Sequence, residues 1–235
     1  MSAVSSSEIR QEFAKSKVGL VGIGILASLI ILSAVAVITI PIDTFKQWNN
    51  PGKWISYPKT SVPIWINYFM TEKIPEHLIL DNPSAITKDD IISLTSHQFG
   101  VQYYYDDFPS DFIYEFSVEY SGSQLLQISV IRPDQSQILL LSRSLPHSDT
   151  NIIHHERIFS TDNTIKKNIQ IHFSEMGFYN QSTSSEDMIF ANKDGQVLKG
   201  DYLFLLNIYG VEEKVKIIDS KLILGGKAYG MMGTD

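Results

Sequence analysis

Four of the six histidines and two carboxylate doublets are the residues of this 235-residue chain best suited to chemistry. His154-His155-Glu156 is the densest cluster, with His147 and His172 not far away. Imidazole and carboxylate groups in such numbers bind zinc or move protons. The segment around the pair alternates as a strand does, which sends adjacent histidines to opposite faces and keeps one ion from reaching both. Metal ligation, and with it an anchored metal-dependent enzyme, is therefore disfavoured. Asp106-Asp107 and Glu186-Asp187 read as solvated or helix-capping carboxylates in polar loops. The alternating oxygen spacing of a calcium loop is missing around them. No glycine-rich phosphate loop precedes a helix, and neither G-x-S-x-G nor H-E-x-x-H occurs. The expectation is no catalytic, cofactor-binding or metal-binding residue, no cofactor and no enzyme on this chain. Asn180-Gln181-Ser182 forms a glycosylation sequon in a polar stretch.

Composition narrows the class further. The chain is 43% hydrophobic and 19% charged with net charge −7, and no basic cluster exceeds a pair such as Lys166-Lys167. Nucleic acid is not an expected partner. The absence of cysteine rules out disulfides and cysteine-based zinc sites.

Residues 18–40 carry no charged side chain. As a helix they span roughly 35 Å at about 1.5 Å per residue, enough for a hydrocarbon core of about 30 Å. Ser28, Ser33 and Thr39 are the polar exceptions, and Pro41 stops the run. The apolar core is too long for a cleaved signal, and the small residues at 33–36 lie inside it rather than after it. Arg10, Lys15 and Lys17 precede the span and favour a cytoplasmic N-terminus. Gly24 and Ser28 form a small-xxx-small pair suited to packing against a second membrane helix. Upstream, Ser5-x-x-Glu8 reads as a capping box, with Ile9 and Phe13 on one face of a short amphipathic helix.

All three tryptophans, Trp48, Trp54 and Trp65, fall in a stretch also holding Phe45, Tyr57, Tyr68 and Phe69. Prolines at 51, 58 and 63 forbid a regular helix there. Rings of this kind near a membrane exit form an interfacial belt, or pack on the first strands of an outer domain.

From 76 to 228 the pattern is mostly that of strands. Phe112, Tyr114, Phe116, Val118 and Tyr120 alternate with polar residues, and Leu126, Ile128 and Val130 repeat the pattern beyond Ser121-Gly122-Ser123. Arg132–Gln135 and Asp194-Gly195 supply turns. Further strands are expected at 138–141, 152–159, 168–173, 188–190, 202–209 and 215–224. One helix is expected over 88–99, capped by Thr87, favoured by Asp89 and Asp90, and stopped by Gly100. The fold class is one N-terminal transmembrane α-helix followed by a mainly-β extracytoplasmic domain, β-sandwich or jelly-roll-like. The expected organisation is a cytoplasmic amphipathic segment (1–17), transmembrane helix (18–40), aromatic and proline-rich juxtamembrane linker (41–75) and β-rich domain (76–228).

Three stretches resemble one family. Phe13-Ala-Lys-Ser-Lys-Val-Gly-Leu-Val-Gly-Ile-Gly-Ile-Leu26 is similar to the N-terminal segment of dipeptide/oligopeptide ABC transporter permeases, C-type subunit. Trp48-Asn-Asn-Pro-Gly-Lys-Trp54-Ile-Ser-Tyr-Pro-Lys59, continuing to Trp65, is similar to the linker of archaeal-type members with an enlarged extracytoplasmic insert. The stretch from Leu224-Gly-Gly to Gly233-Thr234-Asp235 resembles the approach to those permeases' second span, where Gly-Thr-Asp continues as x-x-Gly-Arg-Asp. Residues 229–235 then read as the start of a truncated permease core. The resemblance implies the N-terminal part of a peptide importer, not transport-competent alone. The partners it implies are a second permease subunit, ATP-binding subunits that hydrolyse ATP and an extracytoplasmic solute-binding protein. A single-pass anchored β-sandwich for adhesion, pilin-like assembly or ligand binding is the alternative. Its pilin version places a processing site at Lys17-Val18-Gly19.

Overall fold

Ser16 opens the first helix: its hydroxyl accepts a hydrogen bond from the Gly19 amide (3.2 Å), satisfying one of the orphan donors of the first turn. The structure, a computed structural model, describes residues 16–40, 46, 50–58, 60–89, 93–175, 184–210 and 215–230. Packing divides the chain into two units, Met1–Lys53 and Trp54–Asp235.

In the first unit, helix α1 covers Lys17–Thr39 and ends where Ile40 turns extended. None of its residues is buried, and its apolar side chains point in every direction. A helix greasy all round belongs in an apolar medium rather than against one core. Among the described residues it is the one helix long and apolar enough to cross a membrane. Thr39 hides its hydroxyl on the Val35 carbonyl (2.8 Å). The capping box at Ser5 and Glu8, the basic residues Arg10 and Lys15, and Pro41 lie outside the described residues. One helical turn, α2 (Pro51–Trp54), stands at the boundary of the units.

The second unit holds eleven described strands: β1 (Val62–Pro63), β2 (Leu78–Leu80), β3 (Ala85–Asp89), β4 (Leu94–Tyr103), β5 (Phe112–Gly122), β6 (Gln124–Ile131), β7 (Gln137–Ser144), β8 (Ser148–Phe159), β9 (Gly200–Gly210), β10 (Lys216–Leu224) and β11 (Ala228–Tyr229). One antiparallel sheet runs β2-β10-β5-β8 and the other β3-β4-β9-β6-β7. The two share one core as a β-sandwich. Phe99 of β4 meets Tyr114 of β5, and Phe112 of β5 meets Phe204 of β9, at ring separations of 6.4 and 6.3 Å. The period-2 alternation of 112–120 is that of β5, with its rings inward and Glu115, Ser117 and Glu119 on the wetter face.

Three local expectations are overturned. Residues 88, 89 and 93–99 form no helix: 85–89 and 94–103 are antiparallel partners, and Asp90 lies outside the described residues. The cap at Thr87 and the acids after it are local signals only. The ten-residue ladder of β4 on β9 outweighs them, burying Phe99, Val101 and Tyr103. Residues 168–173 are not a strand but part of helix α3 (Asn163–Glu175). Ile165, Ile169 and Phe173 recur every four residues and are buried, while Ile171, which made the alternation, faces outward. The Asp162 carboxylate takes the Thr164 amide (2.7 Å) to start it. Residues 188–190 belong to helix α4 (Ser185–Phe190), where Ser184 accepts from the Asp187 amide (3.0 Å) and two acids occupy the first turn.

Residues 54–75 are built into the β unit rather than strung outside it. Ser56 donates to Glu115 of β5 (3.1 Å), and β1 pairs in parallel with β11, Val62 with Ala228 and Pro63 with Tyr229.

Candidate functional site

At the end of the sandwich where β1 and β11 meet, an open cleft of about 920 Å³ lies between the 55–62 segment and the body of the domain. Ile55, Tyr57, Pro58 and Val62 line it from that segment, and Ile74, His77, Asp111, Ile113 and Lys227 from the rest of the domain. Two glycines let the chain pass here. A Cβ on Gly226 would run into the His77 amide nitrogen and the Glu76 carbonyl carbon, and one on Gly225 would run into the Asp111 carboxylate.

His77 is held on both sides. Its Nε2 lies 2.8 Å from the Ser56 carbonyl and so donates, leaving Nδ1 to accept from the Gly226 amide (3.4 Å). Its ring stacks on Tyr57 and meets Tyr229 edge-on. Burial lowers its pKa, against the opposing pull of the Ser56 carbonyl and the Asp111 charge. With both nitrogens committed to backbone, the imidazole organises the cleft wall rather than exchanging protons with a ligand. Lys227 is bound to Asp107 (2.6 Å). The cleft therefore offers apolar and aromatic contact with few uncommitted charges.

The residues singled out from the sequence do not converge. His154 turns inward beside Tyr120, its Nε2 3.3 Å from Glu156, while His155 turns outward to Ser117 (2.7 Å). His147 pairs with Asp149 (3.1 Å), and His172 stands edge-on to Phe173 on α3. Among the described residues no three histidines or carboxylates gather as a metal site. The carboxylate doublets differ: Asp106-Asp107 is engaged by lysines, and Glu186-Asp187 occupies the first turn of α4. Asp106 binds Lys199 and accepts the Lys73 amide (2.6 Å), and the Lys199 contact holds its carboxyl below the ordinary range. Glu186 is buried in α4, and burial raises its pKa.

On α1, Ser28 is exposed, and a Cβ added at Gly24 would meet nothing within 4 Å. Trp54 and Trp65 are each about half exposed. Trp48, Gly233, Thr234, Asp235 and the sequon at 180–182 lie outside the described residues. The cleft itself was not read from the sequence. Its one linear signal was the Gly225-Gly226 pair just past a strand, since His77, Asp111 and Tyr229 are far apart along the chain.

No protein-family model matches the chain, and no curated protein is similar to it.

Proposed function

We propose that this chain is the N-terminal part of an ABC-type importer permease for peptides or similar solutes, anchored by α1 with its β domain on the extracytoplasmic side. The observation that supports this most is the parallel pairing of β1 with β11, reinforced by the Val62 amide on the Lys227 carbonyl (2.9 Å). It holds the incoming and outgoing segments of the β domain side by side, an arrangement that suits a domain inserted between two membrane elements. The family resemblance of the stretches flanking the domain points the same way. In this reading the domain presents its surface to a solute-binding protein, while a second permease and ATP-binding subunits complete the transporter. One apolar helix has no means of shielding a polar solute in the bilayer, so this part does not transport alone, and ATP hydrolysis belongs to the partners.

A single-pass surface protein that binds a ligand is the second reading, favoured by the open cleft beside Tyr57 and His77. Sequencing the source gene past codon 235 separates the two. The importer reading expects an open frame with Gly-Arg-Asp after two further residues, then several apolar spans. A stop codon directly after Asp235, with no permease sequence beyond it, would remove that reading in favour of the surface protein.

A further inference from the structure

Just beyond β1 the chain makes a 3-10 turn, Ile64–Tyr68, and at its tip Tyr68 and Phe69 are 84% and 82% exposed. Trp65, also exposed, meets Phe69 edge-on at 6.1 Å. Water-facing aromatics in such a group mark a contact surface. The turn that carries them is firmly built. The amides of Phe69 and Met70 both donate to the Ile66 carbonyl (3.0 and 3.2 Å). Asn67 clips the far side, its Nδ2 donating to the Ile74 carbonyl (3.0 Å) and its Oδ1 accepting from the Ile74 amide (3.1 Å). The Lys73 ammonium folds back onto the carbonyls of Asn67 and Met70. The Lys73 amide is in turn tied to the Asp106 carboxylate (2.6 Å). The tip therefore projects three rings from a turn with much of its backbone bonding met internally, which lowers the cost of taking it out of water.

We infer that Trp65, Tyr68 and Phe69 insert into the headgroup–acyl boundary of the lipid bilayer. Trp and Tyr carry an apolar body and a polar handle, the combination that boundary accommodates. No charged side chain occurs from Thr60 to Thr71, and the Lys73 ammonium at the turn is engaged by the Asn67 and Met70 carbonyls, so the contact draws mainly on ring burial. The β unit that carries the tip begins at Trp54, 15 residues (54 − 39) past the end of α1, so the connection leaves the tip within reach of the surface α1 anchors. The inference rests on α1 being a retained anchor and not on the importer reading.

The test uses the full chain with Trp48→Phe and Trp54→Phe, leaving Trp65 as the sole tryptophan, reconstituted in phosphatidylcholine vesicles. Lipids brominated in the upper acyl chain are expected to quench Trp65, and iodide is not. The same result is expected when anionic lipid is added. Adding Tyr68→Ser and Phe69→Ser, both at solvent-facing positions, is expected to abolish bromolipid quenching and restore iodide access, with the far-ultraviolet circular dichroism unchanged. Trp65 open to iodide in vesicles that keep the chain through alkaline extraction overturns the inference. Quenching that survives the double serine change also overturns it. Photo-crosslinking from position 69 to a protein in native membranes, with no lipid quenching, would make the tip a protein-docking surface instead. Release of the chain by alkali would remove the anchor and the inference with it, whereas loss of the importer reading at the gene level would leave both intact.

Discussion

His97 of β4 and Ser220 of β10 meet across the sandwich, Nδ1 to Oγ 2.7 Å, with the two residues 6% and 2% exposed. These strands belong to different sheets, so the bond is a polar tie within an interface made mainly of rings and aliphatic chains. Nearby, Thr95 donates to the Val215 carbonyl (3.3 Å) along the same seam. Inside a low-dielectric core such a tie is worth little when replaced as a pair and costly when halved.

Ser220→Ala is accordingly expected to destabilise the domain by about 1–3 kcal/mol, the cost of leaving a buried imidazole nitrogen without its partner. The double change His97→Leu with Ser220→Ala is expected to cost less than the sum of the single changes. Denaturant unfolding of the detergent-solubilised chain, followed by circular dichroism, gives both numbers. Strict additivity would mean the two groups do not interact.

The paired glycines of the cleft make a graded prediction. At Gly226 an added methyl meets backbone atoms of Glu76 and His77, which have nowhere to go. At Gly225 the obstacles are the side chains of Asp111 and Ser110, which can swing aside. Gly226→Ala is therefore expected to lower the melting temperature more than Gly225→Ala, with an overpacking cost of about 1–3 kcal/mol or more. Gly226→Ala is also expected to speed proteolysis at 55–62, since the Gly226 amide supports His77 and His77 holds Ser56. Equal effects from the two variants would contradict the packing described.

Much of the architecture was legible because it is periodic. The uncharged run at 18–40 and the alternation at 112–120 state their structures in single windows of sequence, and both elements formed. Reading failed where a local signal competed with a distant partner. Thr87, Asp89 and Gly100 spell a helix until the β9 ladder is known, and nothing near residue 88 announces Tyr202–Tyr209. The reverse error at 168–173 came from a short window. Including Ile165 turns the apparent alternation into a helical stripe. The cleft was beyond reach for a related reason: His77 stands 149 residues from Gly226, and no periodicity links them.

Two buried groups give stability opposite pH dependences. Burial raises the Glu186 pKa above its ordinary 4.5, so between its unfolded and folded values the folded state keeps a proton the unfolded state has released. Stability from this site falls as pH rises through that window. Burial, helped by the Lys88 charge, lowers the His97 pKa below 6.5, so there the unfolded state binds the extra proton. Stability from this site falls as pH drops below 6.5. Glu186→Gln is expected to flatten the loss on the rising side and to leave the acid-side loss in place. Melting temperatures across pH 4–8 test this. A Glu186→Gln curve parallel to the parent throughout would show that the carboxyl does not titrate on folding.

Arg143 of β7 and Glu156 of β8 form an ion pair between strands that are not sheet neighbours, with His154 on the other carboxylate oxygen. Both partners keep some solvent access, so a double-mutant cycle is expected to return a coupling of about 0.2–1 kcal/mol that shrinks as salt is added. The sharper readout is His154. Its pKa is lowered first by burial and then by the positive charge of Arg143. Arg143→Ala removes that charge and frees Glu156 to act on the imidazole alone. The His154 pKa is therefore expected to rise, followed as the imidazole proton shifts in a nuclear magnetic resonance titration. A His154 titration indifferent to Arg143 would mean that this side of the sandwich is closed by packing, without the ion pair.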